Sequence, residues 1–359
     1  MRKFYRRSTV LVAVTVLAGA ALIVAGATAS VKKKAANVQV CVLLPDTKSS
    51  VRWVQFDAPA FAKAFKAAGV TASINNALND PQKQKAQAQA CLAAGAKVVV
   101  ETSLDNGSAA AIEKLFTSSG GKAIDYDRQV LGGSASVYVT FDGNKVGRAQ
   151  ASGIIAAMKA KGIYAKKPVV AQLWGSLTDE NAKWFKSGND DILNPLFSKK
   201  TLTKGPAQFV PDWLATNAGP IFAQMLVKSN NKIDAAIAAN DNIAGAVIAD
   251  LKARHLKPIP LSGQDASVQG VQYILAGWQT GTVYKFVPDE ANAAAAAAVA
   301  LIKGTTPKTT TTRKNGAKSE PTLALPVVWI TKANYKRLFT DKFLKKSDVC
   351  VGTYAQYCK

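Results

Sequence analysis

The sequence predicts an α/β protein of two similar lobes, each a parallel β-sheet covered by helices on both faces. Short apolar runs alternate with amphipathic helical stretches along most of the 359 residues. This alternation is interrupted once, near Phe141 to Asn144, so it forms two series. Strands joined by helices favour parallel, doubly covered sheets, and a chain of this length holds two domains of ordinary size.

The first series contains five predicted strands separated by helices. The strands read VQVCVLLP (38–45), VTASINNA (70–77), AKVVVETS (96–103), KAIDYDR (122–128) and SVYVTFDG (136–143). Helices are predicted at 53–69, 80–95 and 106–120. Gly69 and Gly95 end the first two, and Pro81 occupies the first turn of the second, which are the usual positions of these residues.

The second series repeats the pattern. Its predicted strands are KPVVAQLWG (167–175), QFVPDW (208–213), DAAIAAN (234–240), IPLSGQD (259–265) and GTVYKFV (281–287). Helices are predicted at 144–161, 181–196, 216–229, 243–254, 267–276 and 288–304. Residues 305–322 are Thr-rich and basic and predict a surface loop, after which LPVVWIT (325–331) predicts a strand and the tail a short helix.

The N-terminus has the features of an export signal. In residues 1–29 a basic head precedes an apolar stretch, and Ala27-Thr28-Ala29 fits the small-x-small cleavage rule. The apolar stretch is also long enough for an uncleaved membrane anchor. Residues 30–37 form a basic linker.

The net charge of +23 is large for this length. Four of these charges lie in the signal segment, which leaves +19 on the rest. The lysines are scattered, and no zinc-finger spacing, RNP-like motif or basic heptad region appears, so we expect no nucleic-acid partner. A basic surface facing an anionic cell envelope fits this pattern better.

Export permits disulfide bonds. Cys41 begins the first strand and Cys91 lies near the end of a helix, positions that share one edge of a βαβ unit, so a Cys41–Cys91 bond is reasonable. Cys350 and Cys358 would close a short C-terminal loop. Four reduced, buried thiols are the alternative, because the spacing does not suit a structural zinc site.

The cluster Asn240-Asp241-Asn242 lies between an apolar strand and an apolar helix. Asp241 or Asn242 would serve as a helix N-cap. Asn240 lies at the carboxyl end of its strand, where open α/β sheets bind ligands. This position predicts a ligand contact.

Polar and aromatic side chains occupy similar positions elsewhere, close to predicted strand ends and crossings. They are Arg52, Trp53, Asp127, Arg128, Asn181, Trp213, Asp265 and Lys285. Charged and amide groups make directional hydrogen bonds of the kind that vicinal hydroxyls require, and tryptophan offers a flat apolar face. Individually, Asp127 and Arg128 also fit a structural ion pair, and either tryptophan fits a core position.

Five stretches closely resemble the xylose-binding branch of the type I periplasmic sugar-binding proteins, the solute receptors of ABC importers. They are IDYDR, DENAKWF, AANDNIAGAVIADL, LSGQDA and TVYK. The resemblance runs from about Val38 to Gly304. It implies two Rossmann-like lobes joined by a three-strand hinge. The N-terminal lobe would be 38–142 plus about 286–322, the C-terminal lobe 143–285 plus about 323–345, and the tail 346–359.

The resemblance also implies roles for the site residues. Hydrogen bonds to the sugar would come from Arg52, Asp127, Arg128, Asn181, Asn240, Asp265 and Lys285. Trp213, and with it Trp53, would stack on the ring. One departure is visible: xylose binders typically read Asn-Asn-Ala-Lys where this chain has Glu180-Asn181-Ala182-Lys183, which leaves the exact sugar open.

The expected mechanism is hinge closure around a monosaccharide, with crossing segments at 141–145, 281–287 and about 323–328. The closed form would then dock on an ABC permease, with no cofactor and no metal. The first candidate for the ligand is D-xylose, followed by another pentose or a hexose. A sugar receptor for a membrane signalling partner would use the same lobes and remains an alternative.

Other classes fit less well. The single histidine, His255, has no metal-ligand or triad partner at a recognisable spacing. Asp127 and Asp265 would suit glycoside hydrolysis only with a proton donor, and Arg128 and Lys285 would lower the pKa of both. A sugar-responsive transcription regulator needs an N-terminal DNA-binding motif, but residues 1–37 hold the export signal and linker instead.

Overall fold

The computed structural model describes residues 37–358. The predicted signal segment and nearly all of the basic linker lie outside these residues. The strands are β1 (Val40–Leu44), β2 (Ala72–Asn76), β3 (Val98–Glu101), β4 (Lys122–Tyr126), β5 (Val137–Phe141), β6 (Val169–Trp174), β7 (Thr203–Phe209), β8 (Ala235–Ala238), β9 (Thr282–Tyr284), β10 (Thr311–Asn315), β11 (Lys318–Leu325) and β12 (Val328–Ile330).

The helices alternate with these strands as the sequence predicts. They are α1 (Ala58–Ala67), α2 (Pro81–Ala93), α3 (Asn106–Ser118), α4 (Gly143–Ala160), α5 (Glu180–Ser198), α6 (Ala215–Lys228), α7 (Asp241–Ala253), α8 (Val268–Leu275), α9 (Val287–Ile302), α10 (Arg337–Thr340) and α11 (Lys346–Val349). A single π-helical turn, Trp53–Asp57, leads into α1. None of the helices between residues 37 and 358 has the length and apolar character that crossing a bilayer requires.

Two main sheets organise the chain. The larger has the order β10-β11-β5-β4-β3-β1-β2 and is parallel except for the β10–β11 hairpin. The smaller has the order β7-β6-β8 and is parallel, and β9 and β12 form an antiparallel pair. Each main sheet has its own apolar core, because parallel strands covered by helices are buried on both faces.

Side chains at the ends of the βα loops set where several helices begin. At these positions a carboxylate, amide or hydroxyl oxygen accepts a main-chain N–H of the first turn, which stabilises the helix start. The capping residues are Asp80, Asp105, Asp142, Asp179, Asn240 and Ser267. Two of them, Asp179 and Asn240, lie at the candidate site.

The predicted surface loop at 305–322 is wrong. Residues 311–325 form the β10–β11 hairpin, and β11 pairs with β5 in parallel and extends the larger sheet. The Thr-rich composition suits strands because β-branched side chains pack well on a pleated surface. Asn315 pairs with Lys318, so Gly316 and Ala317 form the turn, and Gly316 at φ +61° supplies the positive φ that two-residue hairpin turns need at their first position.

Two strand predictions in the second series are also corrected. In QFVPDW the strand ends at Phe209, and Pro211–Trp213 is a 3-10 turn, since proline lacks the N–H that a ladder needs. IPLSGQD forms only isolated bridges, at Leu261 and Gln264. Main-chain hydrogen bonds join this segment to Ala236 of β8. At Ala238 the Ser262 hydroxyl takes their place: it accepts from the N–H and donates to the carbonyl, at 3.0 and 2.9 Å.

The chain passes between the two main sheets at three places: after β5, between β9 and α9, and between β11 and β12. Strand β11 remains in the larger sheet up to Leu325. Arg313 of β10 reaches the first crossing, where its guanidinium donates to Asn144 at 2.9 Å and Asp142 at 3.2 Å. The division of whole segments between two lobes remains a prediction.

Both expected cysteine pairs are bonded. Cys41 of β1 joins Cys91 of α2, and Cys350 joins Cys358. The first bond ties a central strand to a covering helix in the larger sheet. The second closes the C-terminal turn, which packs near α8.

Candidate functional site

Nine predicted site residues line a single cavity, at the carboxyl ends of strands from both main sheets. They are Arg52, Trp53, Asp127, Arg128, Asn181, Trp213, Asn240, Asp265 and Lys285. The cavity has about 310 Å³ of space free of protein atoms, including space open to solvent. Each of the nine is largely buried. Their contact with a ligand stays a prediction.

Three cavity residues have left-handed backbone conformations. Asp127, Trp213 and Asp265 have φ values of +62°, +61° and +91°. This region is uncommon for residues other than glycine and costs free energy that the surrounding structure must offset. Such residues cluster at functional sites, so their meeting in one cavity supports a binding role.

Arg52 organises the buried charges on one side of the cavity. Its guanidinium makes four hydrogen bonds: two to Asp57 at 3.0 and 2.8 Å, one to Asp127 at 2.6 Å and one to Glu290 at 2.5 Å. Arginine has five N–H donors, so one is left for a ligand. Burial by itself lowers the pKa of Arg52, but Asp127, Asp57 and Glu290 outweigh it and raise the pKa well above its ordinary value.

Lys285 links two carboxylates of the site. Its Nζ lies 3.7 Å from Asp127 and 3.3 Å from Asp265. Burial would raise the pKa of Asp127, but Arg52, Lys285 and Arg128 together lower it. Asp127 is therefore ionised and acts as an acceptor. Asp265 also accepts a hydrogen bond from Ser50 Oγ at 2.8 Å.

The two tryptophans are held by their indole N–H groups. Trp53 Nε1 donates to Ser49 Oγ at 3.2 Å, and the Arg52 guanidinium lies 4.4 Å from the ring centroid. Trp213 Nε1 donates to Asp179 at 3.1 Å, and Phe185 packs edge-on against its ring. Fixed indole rings at a cavity suit the apolar face of a small ring-shaped ligand.

Gly175, at the end of β6, makes room for the Trp213 ring. A Cβ at this glycine would lie 2.0 Å from Trp213 Cζ2, closer than any real contact. The small residue after a strand of the smaller sheet is thus required for the position of the ring.

Asn240 has two roles, which corrects the expected choice of cap. Its Oδ1 accepts from the N–H of Ile243 at 2.9 Å and caps α7, a role predicted for Asp241 or Asn242. Its Nδ2 donates to the main-chain carbonyl of Ser49 at 3.1 Å. Asn240 thus lines the cavity and also joins the strand ends of the two main sheets.

Asp241 and Asn242 have separate functions. Asp241 accepts from Ser267 N–H and Oγ at 2.8 and 3.0 Å and from Gln279 at 2.8 Å. Burial raises the pKa of Asp241 to about 7. Asn242 reaches outward to the loop after β1. Of the three adjacent polar residues, Asn240 caps the helix, Asp241 anchors the loop at Ser267, and Asn242 contacts the loop at the larger sheet.

Glu180 does not line the cavity. It pairs with Lys183 at 2.6 Å and accepts a longer hydrogen bond from Asn106 at 3.4 Å. Asn181 is the member of this motif that reaches the cavity. The difference from typical xylose binders at position 180 therefore changes a contact beside the cavity and does not change the residues that line it.

The sequence prediction missed five lining residues: Ser49, Ser50, Asp179, Phe185 and Gln264. Ser49 and Ser50 follow Asp46, which holds their loop through bonds to the N–H and hydroxyl of Ser49. Asp179 caps α5 two residues before Asn181, Phe185 lies one helical turn after Asn181, and Gln264 precedes Asp265. In the sequence, only their closeness to the predicted residues at strand ends indicated that they could line the cavity.

The fold and the cavity define a solute-binding protein with its site between two α/β lobes. The periplasmic binding protein domain model matches residues 40–306. The D-xylose-binding periplasmic protein of Escherichia coli K12 is 32% identical over 89% of this chain and 95% of its own length. The chain belongs to the type I periplasmic sugar-binding proteins and is related to their xylose-binding branch.

Solved structures agree with this assignment. A carbohydrate transporter solute-binding protein from Chloroflexus aurantiacus in complex with D-glucose superposes with a TM-score of 0.79, at 26% identity, over 87% of this chain and 98% of that one. A solute-binding protein from Clostridium phytofermentans with bound β-D-glucose shares the fold, with a TM-score of 0.80 at 24% identity over 87% and 99%. These relatives are described as solute-binding proteins and not as enzymes.

Proposed function

We propose that the protein captures a monosaccharide, D-xylose before other sugars, by closure of its lobes and delivers it to an ABC import permease. The observation that carries this proposal is the convergence of buried polar and aromatic side chains from both main sheets on one cavity of about 310 Å³. The 32% identity of the chain to a D-xylose-binding periplasmic protein supports D-xylose as the sugar.

The lining suits a neutral polyol. Asp127 and Asp265 accept from hydroxyl groups, and Arg128 and Lys285 donate to them. Asn181 already donates from Nδ2 to Asp127 at 2.7 and 3.3 Å and offers its Oδ1 as an acceptor. Hydrogen bonds to charged partners are the stronger ones. Trp53 and Trp213 would cover the C–H faces of the ring. Arg52, with four N–H groups already bonded, mainly holds Asp127 in place.

Closure of the two lobes is expected because the lining residues lie at two different sheets. Arg52, Asp127 and Arg128 lie at the larger sheet, whereas Asn181 and Asn240 lie at the smaller one. A sugar that contacts both sets stabilises only the form in which the sheets approach. The hinge would be the crossing segments 141–145, 281–287 and about 323–328.

A thermal-shift screen with D-xylose, L-arabinose, D-ribose, D-glucose and D-galactose tests the proposal. A ligand at 100 times its Kd stabilises the folded state by about 2.7 kcal/mol, which raises the Tm of a protein of this size by several degrees. We expect the largest shift with D-xylose, followed by calorimetry for Kd. No shift with any sugar contradicts the proposal, and a larger shift with a hexose corrects the sugar alone.

Delivery to a permease needs a separate test. We place the protein outside the cytoplasm, in the periplasm or on the outer face of the cytoplasmic membrane. Co-purification of the D-xylose-loaded protein with an ABC permease supports transport. Co-purification with a membrane sensor domain instead favours the signalling alternative.

A further inference from the structure

Asp179 contacts three of the predicted sugar-site residues through one carboxylate. Its Oδ1 accepts from the main-chain N–H of Asn181 at 2.9 Å. Its Oδ2 accepts from Trp213 Nε1 at 3.1 Å and lies 3.0 Å from Arg128 Nε. Asp179 is only 3% exposed, so few of its acceptor positions face solvent.

These partners come from different parts of the fold. Arg128 follows β4 of the larger sheet, whereas Asn181 and Trp213 lie beyond β6 and β7 of the smaller sheet. Asp179 itself caps α5 beside the smaller sheet. Opening of the cleft would therefore break its ion pair with Arg128 but keep its bonds to Asn181 and Trp213.

We propose that Asp179 is a positioning residue for sugar capture, which orients the Trp213 ring and holds Arg128 across the cleft when the lobes close. This inference rests on the proposed function. Most of the acceptor positions of the carboxylate are used by protein groups, so Asp179 acts on the sugar through its neighbours.

Trp213 belongs to the apolar core of the smaller sheet, and the core side chains around it offer no acceptor for its indole N–H. Gly175 leaves space beneath the ring, and Phe185 packs edge-on with centroids 6.0 Å apart. Neither contact sets the rotation of the indole within its plane. The hydrogen bond to Asp179 does, because the indole has a single donor.

The charged groups around Asp179 and its burial should make sugar binding depend on pH. Burial, helped by the charge of Asp127, raises the pKa of Asp179 to about 6 against the lowering effects of Arg128, the Asn181 N–H and Lys285. In an open, hydrated cleft the pKa returns toward the ordinary value of about 3.9. At a pH between these two pKa values, closure of the cleft is coupled to protonation of Asp179. The sugar affinity therefore rises as the pH falls, by roughly tenfold from pH 7 to pH 5.

The test compares Asp179→Asn, Asp179→Ala and Asp190→Asn with the parent protein. Asp190 lies on the same helix and pairs with Lys186 away from the cavity, so Asp190→Asn is the matched control. We expect Asp179→Asn, which is neutral at every pH, to flatten the pH profile of Kd, and Asp179→Ala, which removes the acceptor of Trp213 Nε1, to weaken D-xylose binding by about tenfold. Asp179→Ala should also change the tryptophan fluorescence response to D-xylose. Binding by Asp179→Asn within twofold of the parent, with the same pH profile, overturns the proposal.

A second measurement needs no variant at Asp179. The Trp213 indole ¹⁵N–¹H resonance, assigned by Trp213→Phe, should titrate near pH 6 in the D-xylose-loaded parent protein, in which the cleft is closed. A resonance that does not move between pH 4.5 and 7.5 contradicts the contact with Asp179. If the parent protein binds no D-xylose, the proposed function fails in its choice of ligand, and the titration is made with the sugar that gives the largest thermal shift, so that it still tests the coupling of Asp179 to Trp213.

Discussion

The side-chain amide of Asn242 lies 3.0 Å from the main-chain carbonyl oxygen of Lys48, to which it donates a hydrogen bond. The same amide also donates to the carbonyl of Ser49 at 3.1 Å. Asn242 lies in the first turn of α7, at the smaller sheet, and residues 48–49 follow β1 of the larger sheet. This direct contact between the two sides of the cleft involves no residue with a predicted ligand contact.

Replacing Asn242 with Ala should therefore weaken sugar binding without changing which sugar is preferred. Each lost hydrogen bond contributes about 0.5–1.5 kcal/mol, so we expect a Kd increase of about three- to tenfold, mostly through faster dissociation. Stopped-flow fluorescence with D-xylose measures this rate. Asn194→Ala, at an exposed position of α5, is the control. An altered ratio of affinities between sugars would mean that Asn242 affects the pocket itself.

Asp265→Ala should abolish measurable D-xylose binding while the fold persists. The substitution removes an acceptor for the sugar and leaves Lys285 without its nearer carboxylate, at a cost of about 1.5–3 kcal/mol for each bond to a charged group. Calorimetry gives the affinity and circular dichroism the fold. Asp191→Asn, which breaks an exposed ion pair with Arg148, should have little effect. Unchanged affinity in Asp265→Ala would remove this residue from the site. Asn240→Ala is less informative, because it also removes a helix cap.

Arg52→Gln should destabilise the protein strongly. It leaves Asp57 and Glu290, both fully buried, without their cation, and breaking a buried ion pair costs about 3–5 kcal/mol. Burial raises the pKa of both carboxyls against the effect of Arg52, so the loss of Arg52 should favour their neutral forms. Urea unfolding measures the free energy of unfolding. A change below 1 kcal/mol would show that these carboxyls do not depend on Arg52.

Alkaline pH should destabilise the larger sheet through a buried acidic cluster, Glu101, Glu113, Asp125 and Glu320. Burial raises the pKa of all four, and contact with other carboxyls adds to the effect at Glu101 and Asp125. Both Glu101 carboxylate oxygens lack a hydrogen-bond partner within residues 37–358. Since the folded pKa values exceed the unfolded ones, stability is fully present below the unfolded values of about 4 and is lost as the pH rises through the folded values.

Thermal unfolding between pH 4 and pH 9 checks this dependence. Asp125→Asn removes one of the raised groups and should reduce the fall in Tm toward high pH. Asp190→Asn keeps the cluster and should follow the parent curve. Parallel curves for Asp125→Asn and the parent protein would exclude a contribution from Asp125.

Gly175→Ala should displace the Trp213 ring. The new methyl group would lie about 2 Å from ring carbons, so the indole has to move. We expect weaker D-xylose binding, by about tenfold if one stacking contact of 1–1.5 kcal/mol is lost. The intrinsic fluorescence of the unliganded protein should change as well. Gly219→Ala, where an added methyl meets no neighbour within 4 Å, serves as control. Normal binding by Gly175→Ala would show that the ring position does not matter.

The alternation of strands and helices, and with it the positions of most site residues, could be read from the sequence. Asp127 and Asn240 follow apolar strands, and parallel strands bring their carboxyl ends to one edge of a sheet. Local patterns therefore place these residues near the cavity. Local patterns failed where a strand depends on distant partners, as for the β10–β11 hairpin beside β5.

The sequence by itself determined the fold class, because periodicity and chain order set it, and it indicated the cysteine pairs and nine of the fourteen cavity-lining residues. Only the tertiary structure decided which charges meet. Arg52 binds Glu290, 238 positions away, Asp179 meets Arg128 across the cleft, and Asn242 reaches Lys48. Such contacts depend on how two separately formed sheets face each other, and that arrangement leaves no periodic trace in the chain.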